Sequence, residues 1–269
     1  MRGIITLTTD FGRRDPWVGT MKGVILAVTR DVHLVDLTHE IAPHDVLEAA
    51  LALEAAAPFF PAGTVHLAVV DPGVGGARRA LVVARDEQRF VGPDNGLFTP
   101  FLLTAGWRAF ELSAPEYRLP VASHTFHGRD VFAPAAAHLA LGVPPERFGG
   151  AVTDPVRLPW PASRASAGGV AGEVVHVDRF GNLVTSIGAA DVTPDGVVEV
   201  AGRELLLVRT FADIGPGTVA GLVGSSGRLE IAAREASAAA SLGVGRGAPV
   251  LLRRRSSTTK EGGSRATKK

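Results

Sequence analysis

The sequence has no cysteine among its 269 residues. A disulfide framework, a thiolate nucleophile and a cysteine-ligated metal site are therefore excluded. The sequence also lacks an apolar run of the length that crosses a bilayer, and charge interrupts the N-terminal stretch too early for a signal peptide. We therefore expect a soluble, cytoplasmic protein with no membrane partner.

A strong charge of one sign is lacking as well. The formal net charge is +1, which gives no global attraction to nucleic acid, so no nucleic-acid partner is expected. Basic residues do gather at the C-terminus, where residues 254–269 are polar and show no apolar period. We expect this segment to be a disordered basic tail.

Strand-like and helix-like segments alternate through residues 1–152. The spacing of apolar residues predicts a helix over Trp17–Val28, and an Ala/Leu/Glu-rich helix is predicted over Asp45–Ala57 before Pro58. Short β-branched runs between these segments predict strands. The pattern is typical of an α/β domain whose mainly parallel sheet is covered on both faces.

The composition changes after residue 152. Residues 153–169 are rich in Pro, Ser, Ala and Gly and indicate a linker. Residues 170–253 hold short apolar runs at close spacing, and only Ala232–Leu242 could form a helical turn. We therefore predict a smaller all-β, barrel-like C-terminal domain.

One acid stands at the point where an apolar strand meets a glycine-rich turn. Val65–Val70 is predicted as a buried strand, and Asp71 follows it directly, before Pro72–Gly76 and Arg78. Open α/β sheets bind ligands at the carboxyl ends of their strands. A purely structural turn, in which Asp71 caps backbone N–H groups, fits the same residues.

Three further stretches place polar groups at element ends. Asp10 ends the first predicted strand, and His127 precedes a predicted helix whose positive end favours a neutral imidazole. Asp178 and Asn182 share a tight turn with Phe180 in the β-rich part, which suits a polar, planar ligand. A helix cap, a core histidine and an ordinary β-turn are the structural alternatives.

Metal and dinucleotide sites are poorly supported. No histidines have the spacing of a known metal motif, and neither a Walker loop nor a dinucleotide fingerprint follows the first strand. The densest set of possible ligands matches no helical face, so we expect no metal there. That set is His33, Asp36, His39, Glu40, His44 and Asp45.

Six motifs together resemble one family. They are Thr9–Gly12, Val70–Gly75 with Arg78, Gly92–Leu97, Thr125–Asp130, Asp178–Asn182 and Gly224–Gly227. In this order they are similar to the S-adenosyl-L-methionine (SAM) hydrolases that form adenosine, also called SAM hydroxide adenosyltransferases, which are relatives of fluorinase and chlorinase. The resemblance spans residues 1 to about 252. It implies an α/β N-terminal domain, a β-barrel C-terminal domain and a homotrimer that binds SAM between neighbouring subunits.

The resemblance also implies roles for individual residues. Asp71, Arg78 and His127 match the set that positions and activates water, and Asp10 matches the carboxylate that holds the ribose hydroxyls. SAM is then the substrate, with no cofactor. The remaining implied contacts are Asp178, Ser225 and Ser226 near the methionine end, Asn182 at the adenine edge, and Phe180 and Phe211 around adenine.

Two other functions stay open from the sequence. A halide-using adenosyltransferase is disfavoured, because the related halogenases differ at the position of Asp71 and carry an insertion where this chain passes quickly from Ala84 to Phe90. A SAM or adenosine sensor without turnover is the other alternative. Ala233–Glu235 departs from the relatives' pattern, so we assign it no role.

Overall fold

The computed structural model describes residues 3–254. These residues divide into two compact units, of which the first ends at Trp160 and the second begins at Pro161. The predicted basic tail lies outside the described residues, except for Arg254, which belongs to the last strand. Within residues 3–254 there is no helix of sufficient length and apolar character to span a membrane.

The first unit alternates strands and helices. Its elements are β1 (Gly3–Thr9), α1 (Trp17–Val28), β2 (Val32–Thr38), α2 (Val46–Ala56), β3 (Val65–Val69), β4 (Ala80–Arg85), β5 (Gln88–Pro93), α3 (Thr99–Leu102), β6 (Arg108–Glu111), α4 (Ala133–Ala140) and β7 (Ala151–Val152). The predicted helix over Trp17–Val28 is confirmed. Asp45 caps α2, and its carboxylate accepts the N–H of Glu48 at 2.9 Å.

The sheet of the first unit is mixed. In the described part of the chain its seven strands follow the order β2-β1-β3-β5-β4-β6-β7. The pairs β1–β2, β1–β3 and β3–β5 are parallel, whereas β4–β5, β4–β6 and β6–β7 are antiparallel. The mainly parallel sheet expected from the sequence is therefore correct for one half of the sheet and wrong for the other.

A two-residue hairpin accounts for the change of direction. Arg85 pairs with Gln88, and Asp86 and Glu87 between them both have positive φ, at 47° and 64°. Such turns match the twist of antiparallel strands, but Asn-Gly or Asp-Gly usually forms them. The local sequence gives no such signal, so the antiparallel pairing was not predicted.

Both faces of this sheet are buried, as expected. Successive residues of β3 point to opposite faces, so Leu67 packs in one hydrophobic cluster and Ala68 in the other. The first cluster includes residues of α1 and α4, such as Met21, and the second includes residues of α2, such as Leu53. The helices thereby fix the carboxyl ends of β1 and β3, near which Asp10 and Asp71 lie.

The second unit is built of β-strands with one short helix. Its elements are β8 (Arg164–Ser166), β9 (Gly169–Val177), β10 (Leu183–Gly188), β11 (Gly196–Val200), β12 (Arg203–Leu206), β13 (Val219–Val223), β14 (Arg228–Ala233), α5 (Ala238–Leu242) and β15 (Pro249–Arg254). The strand order is β12-β11-β15-β9-β10-β14-β13, with β8 beside β9. A bridge between Leu207 and Gly221 brings the two edges together, so the sheet is nearly a closed barrel.

The segment predicted as a linker is partly ordered. Asp154 accepts a hydrogen bond from Arg79 at 2.8 Å, and the N–H of Val156 donates to Asp94 at 2.7 Å. These bonds attach the start of the segment to the first unit. Its later part contains β8, which pairs with β9 in the second unit. Composition alone did not reveal the contacts with Arg79 and Asp94, because these residues lie 75 and 62 positions away from their partners.

Candidate active site

The glycine-rich turn after β3 brings Asp71 and Arg78 together. The N–H of Val74 donates to the carbonyl of Asp71, and Gly75 has a φ of +76°. A β-carbon at Gly75 would lie 2.2 Å from the carbonyl oxygen of His124, so only glycine allows this close approach. Arg78 Nε then donates to Asp71 Oδ1 at 2.9 Å, and its Nη2 also bonds to Oδ2.

The same arginine holds His127. Arg78 Nη2 lies 2.8 Å from His127 Nδ1, and the guanidinium also packs over the ring of Phe132 at 5.3 Å. His127 stands at the start of a π-helical turn, Gly128–Phe132, which leads into α4. The three residues to which the family resemblance assigns water activation therefore form one hydrogen-bonded cluster, although 49 positions separate Arg78 from His127.

Hydrogen bonding fixes the roles of the two nitrogens of His127. A guanidinium has no acceptor, so Nδ1 must accept from Arg78 and its proton must be absent. Burial lowers the pKa of His127 below its ordinary value of 6.5, and the Arg78 charge lowers it further, while Asp71 opposes them. The ring is therefore neutral near pH 7, with its proton on Nε2.

A cavity of about 340 Å³ opens beside this cluster. Asp71 and His127 line it, together with Asp10 and the rings of Phe11 and Trp17. Arg78 does not line the cavity but bonds to both residues that do. The wall thus presents a carboxylate and an imidazole whose orientations are fixed by a guanidinium behind them.

Asp10 lies on the same cavity wall. It follows β1, and its Oδ2 accepts the N–H of His44 at 2.9 Å. Its side chain is only 9% exposed. Asp10 and Asp71 stand at the carboxyl ends of the neighbouring parallel strands β1 and β3, which explains why residues 61 positions apart share one cavity.

The second unit carries a separate pocket of about 710 Å³. Three predicted residues, Phe180, Asn182 and Phe211, line it. Phe180 is 76% and Phe211 49% exposed. Large apolar rings that are exposed together are typical of a binding surface. The walls are otherwise formed by Ala212 and by residues 233–237.

Asp178 shapes the turn that leads to this pocket. Its Oδ1 accepts the N–H groups of Phe180 and Asn182 at 2.9 and 2.8 Å, and its Oδ2 accepts from the Asn182 amide at 2.9 Å. Ser225 and Ser226, in the turn between β13 and β14, do not line the pocket. The structure thus brings Phe180, Asn182 and Phe211 together and leaves the two serines outside.

Sequence inspection missed two features of the second unit. Arg234 and Glu235, to which no role was assigned, line the pocket, and Glu235 has a φ of +55°. Glu230 is 9% exposed, and burial raises its pKa, as does the nearby charge of Asp178, while a hydrogen bond from Ser226 opposes the rise. A charged residue inside an apolar strand, Leu229–Ile231, was the only available signal.

The ligand-rich segment between His33 and Asp45 does not gather into a metal site. Within the described residues, no group of three or more His, Cys, Asp or Glu side chains is arranged to hold a metal ion. His39 and His44 instead contact the turn that carries Asp10.

Comparison with known proteins identifies the family. The SAM hydroxide adenosyltransferase N-terminal domain matches residues 5–149, and the C-terminal domain of the same family matches residues 172–251. The chain belongs to the SAM hydroxide adenosyltransferase family. The resemblance inferred from the six sequence motifs is therefore confirmed, together with the two-domain architecture.

Relatives agree with this assignment. An (R)-S-adenosyl-L-methionine hydrolase of Thermus thermophilus is 46% identical over 94% of this chain and 100% of the relative. One of Salinispora tropica is 41% identical over 89% of this chain and 94% of the relative. A fluorinase of Actinoplanes is 30% identical over 79% of this chain and 84% of the relative, so it is a more distant relative than the two hydrolases.

Solved structures show the same fold. The crystal structure of an uncharacterized conserved protein from Thermotoga maritima matches with a TM-score of 0.88 and 35% identity, over 93% of this chain and all of that one. A conserved hypothetical protein from Thermus thermophilus matches with a TM-score of 0.78 and 44% identity, over 94% of this chain and all of that one.

The charges around His127 predict opposite effects of two substitutions on its pKa. Arg78→Leu should raise the pKa, because it removes a positive charge that disfavours the imidazolium. Asp71→Asn should lower it further, because it removes the carboxylate that favours the imidazolium. NMR titration of the His127 ring in each variant measures both shifts. Shifts of the same sign in both variants would contradict this arrangement of charges around His127.

Proposed function

We propose that this chain hydrolyses SAM to adenosine and L-methionine by in-line attack of an activated water, or hydroxide, on C5′. The observation that carries the proposal is the Arg78 bridge between Asp71 and His127 at the wall of a cavity shared with Asp10. The activity named for the relatives at 41–46% identity supports it.

The substrate makes one half of the reaction easy. The sulfonium at C5′ departs as the neutral thioether of methionine, so no general acid is required. The nucleophile is the difficult half, because ionising water at pH 7 costs about 12 kcal/mol, at roughly 1.4 kcal/mol for each pKa unit above 7. The site must therefore lower the cost of removing a proton from water as the C–O bond forms.

Asp71 and His127 suit complementary parts of this task. Asp71 is an acceptor only, and its carboxylate has lone pairs beyond those used by Arg78. We assign it to the proton of the attacking water. His127 Nδ1 is occupied by Arg78, so Nε2–H is the donor that fixes the oxygen of the same water. One acceptor and one donor then orient the lone pair towards C5′.

Charge cancellation along the reaction path supplies further stabilisation. Hydroxide and sulfonium are both charged, whereas adenosine and the thioether are not. A site that excludes bulk water weakens the solvation of the charged pair more than that of the products. The rings of Phe11, Trp17 and Phe126, which line the cavity, suit this exclusion.

The remaining predicted residues are assigned to binding. We place the ribose hydroxyls at Asp10, the adenine in the pocket of the second unit near Asn182, Phe180 and Phe211, and the methionine end near Asp178, with Ser225 and Ser226. The exposed rings of that pocket support its assignment to a planar base, since aromatic faces stack on bases. A cofactor-free reaction and a cytoplasmic location remain predictions from the sequence.

Product analysis in labelled water tests the reaction. Incubation of SAM with the protein in H₂¹⁸O should yield adenosine whose 5′-oxygen carries the label, with the same yield when fluoride or chloride is added. Mass spectrometry of the nucleoside measures both. A 5′-halogenated nucleoside would indicate the halide-using alternative, and tight SAM binding without product would indicate a sensor.

The bidentate bond of Arg78 predicts a large effect of a conservative substitution. Arg78→Lys keeps the charge but lacks the planar fork through which Nε and Nη2 donate to Asp71 and His127 in fixed directions. We expect kcat to fall at least about 100-fold, as it does when one preorganised donor is lost, with KM changed about threefold or less. Arg85→Lys, at the far end of β4, is the matched control and should keep kcat within about twofold. Equal kcat values in the two variants would remove Arg78 from the mechanism.

We further propose that the protein is a homotrimer in which the first unit of one subunit and the second unit of its neighbour together bind SAM. The implied residue set supports this, because the water-activating residues all lie in the first unit and the adenine residues all lie in the second. Each unit also has its own open pocket, lined by its own members of the set.

Mixed oligomers test the shared site. Asp71→Asn disables the first unit and Phe211→Ala the second, so each variant alone should be nearly inactive. Co-expressed chains should regain activity, because some sites then combine two intact units, and light scattering should give the mass of a trimer. A mixture of Asp71→Asn with Arg78→Lys should regain none. Equal failure of both mixtures would show that each site lies within one chain.

A further inference from the structure

The segment from His39 to His44 holds the turn that carries Asp10. Three hydrogen bonds join them: Gly12 N–H donates to the His39 carbonyl at 2.8 Å, His44 N–H donates to Asp10 Oδ2 at 2.9 Å, and Thr9 Oγ1 lies 2.9 Å from His39 Nδ1. The Thr9 hydroxyl also accepts the N–H of Phe11 at 3.2 Å. The residues on both sides of Asp10 are therefore bound to one segment, Thr9 through its side chain and Gly12 through its backbone.

His39 is itself firmly anchored. It is 2% exposed, and its Nε2 lies 3.0 Å from Asp36 Oδ1, outside the angular range of a well-aligned hydrogen bond. Asp36 also accepts from Lys22 of α1 at 2.7 Å. Burial raises the pKa of Asp36, but Lys22 and His39 outweigh it and keep the pKa below its ordinary value. The ring of His39 thus lies between a fixed carboxylate and the Thr9 hydroxyl.

His44 adopts an unusual backbone conformation that serves the same contact. Its φ is +69°, in the left-handed region that costs non-glycine residues about 1–2 kcal/mol. The next residue, Asp45, caps α2, and Glu48 of that helix accepts the N–H of Ala42 at 3.1 Å. The residues on both sides of His44 are therefore bonded to α2, while the His44 N–H donates to Asp10.

We propose that His39 is a positioning residue for the substrate's ribose. The His39 ring contacts Thr9 and the His39 carbonyl accepts from Gly12, and these two contacts fix the turn that carries Asp10. The turn presents the Asp10 carboxylate to a pair of vicinal hydroxyls at the cavity wall. The proposal rests on the function proposed above, since it takes Asp10 as the ribose ligand.

Nucleoside binding tests the proposal without reliance on turnover. Calorimetry compares adenosine with 2′,3′-dideoxyadenosine, which lacks the hydroxyls, on the intact protein. His39→Leu should weaken the binding of adenosine about tenfold, because the hydrogen bonds of its ribose hydroxyls to the charged Asp10 carboxylate depend on the position of that carboxylate. The affinity for dideoxyadenosine should stay within about twofold. His39→Asn keeps a polar atom near the position of Nδ1 and should recover most of the loss. His33→Leu, an exposed site on β2, is the control.

A double substitution separates positioning from general damage. In an Asp10→Asn background, His39→Leu should lower the affinity for adenosine by less than a further twofold, because the carboxylate that His39 positions is already lost. Additive losses, or an equal loss of both nucleosides, would overturn the proposal. If the wild type shows the expected nucleoside preference but does not hydrolyse SAM, the proposed function fails and the role of His39 stands.

Discussion

The bond of Arg78 to both Asp71 and His127 is the interaction on which the rest of the site depends. The side chains of Arg78 and Asp71 are only 11% and 5% exposed, so water solvates neither charge well. Removal of one partner from a buried ion pair costs about 3–5 kcal/mol, because the other charge is left uncompensated. The two residues therefore act as a unit. Arg78 orients His127 through Nδ1, while burial and then the Arg78 charge lower the pKa of His127 and keep its ring neutral.

The fold supports this cluster from several directions. Asn95 donates to the carbonyl of Val70 at 2.8 Å and so fixes the residue before Asp71. The glycine turn packs against His124, and Asp130 accepts the N–H of Ser123 at 2.7 Å, which holds the same loop from the other side. These contacts come from three separate parts of the first unit. Precise geometry at the cavity is thus a property of the whole sheet edge.

Local patterns in the sequence revealed what is determined locally. The helices α1 and α2 and the acid before the glycine turn each have their signal within a few residues. The antiparallel half of the first sheet was missed, because Asp86 and Glu87 turn the chain without glycine. The anchoring of the linker and the contact of His39 with Thr9 were missed for another reason: the partners are 30 or more positions apart. Family resemblance supplied the association of Asp71, Arg78 and His127, which spacing alone could not.

The charge at the cavity wall also bears on the choice between water and halide. A halide ion can only accept hydrogen bonds and carries a negative charge, whereas water can donate to a carboxylate. Asp71 lines the cavity, so an anion there would face an acceptor of like charge, at a cost that grows as solvent is excluded. Arg78 could offset that cost, but both nitrogens that it directs to the cluster already bond to Asp71 and His127. The carboxylate to which we assign the proton of the attacking water therefore also makes the site unfavourable for halide, and the two properties follow from a single residue.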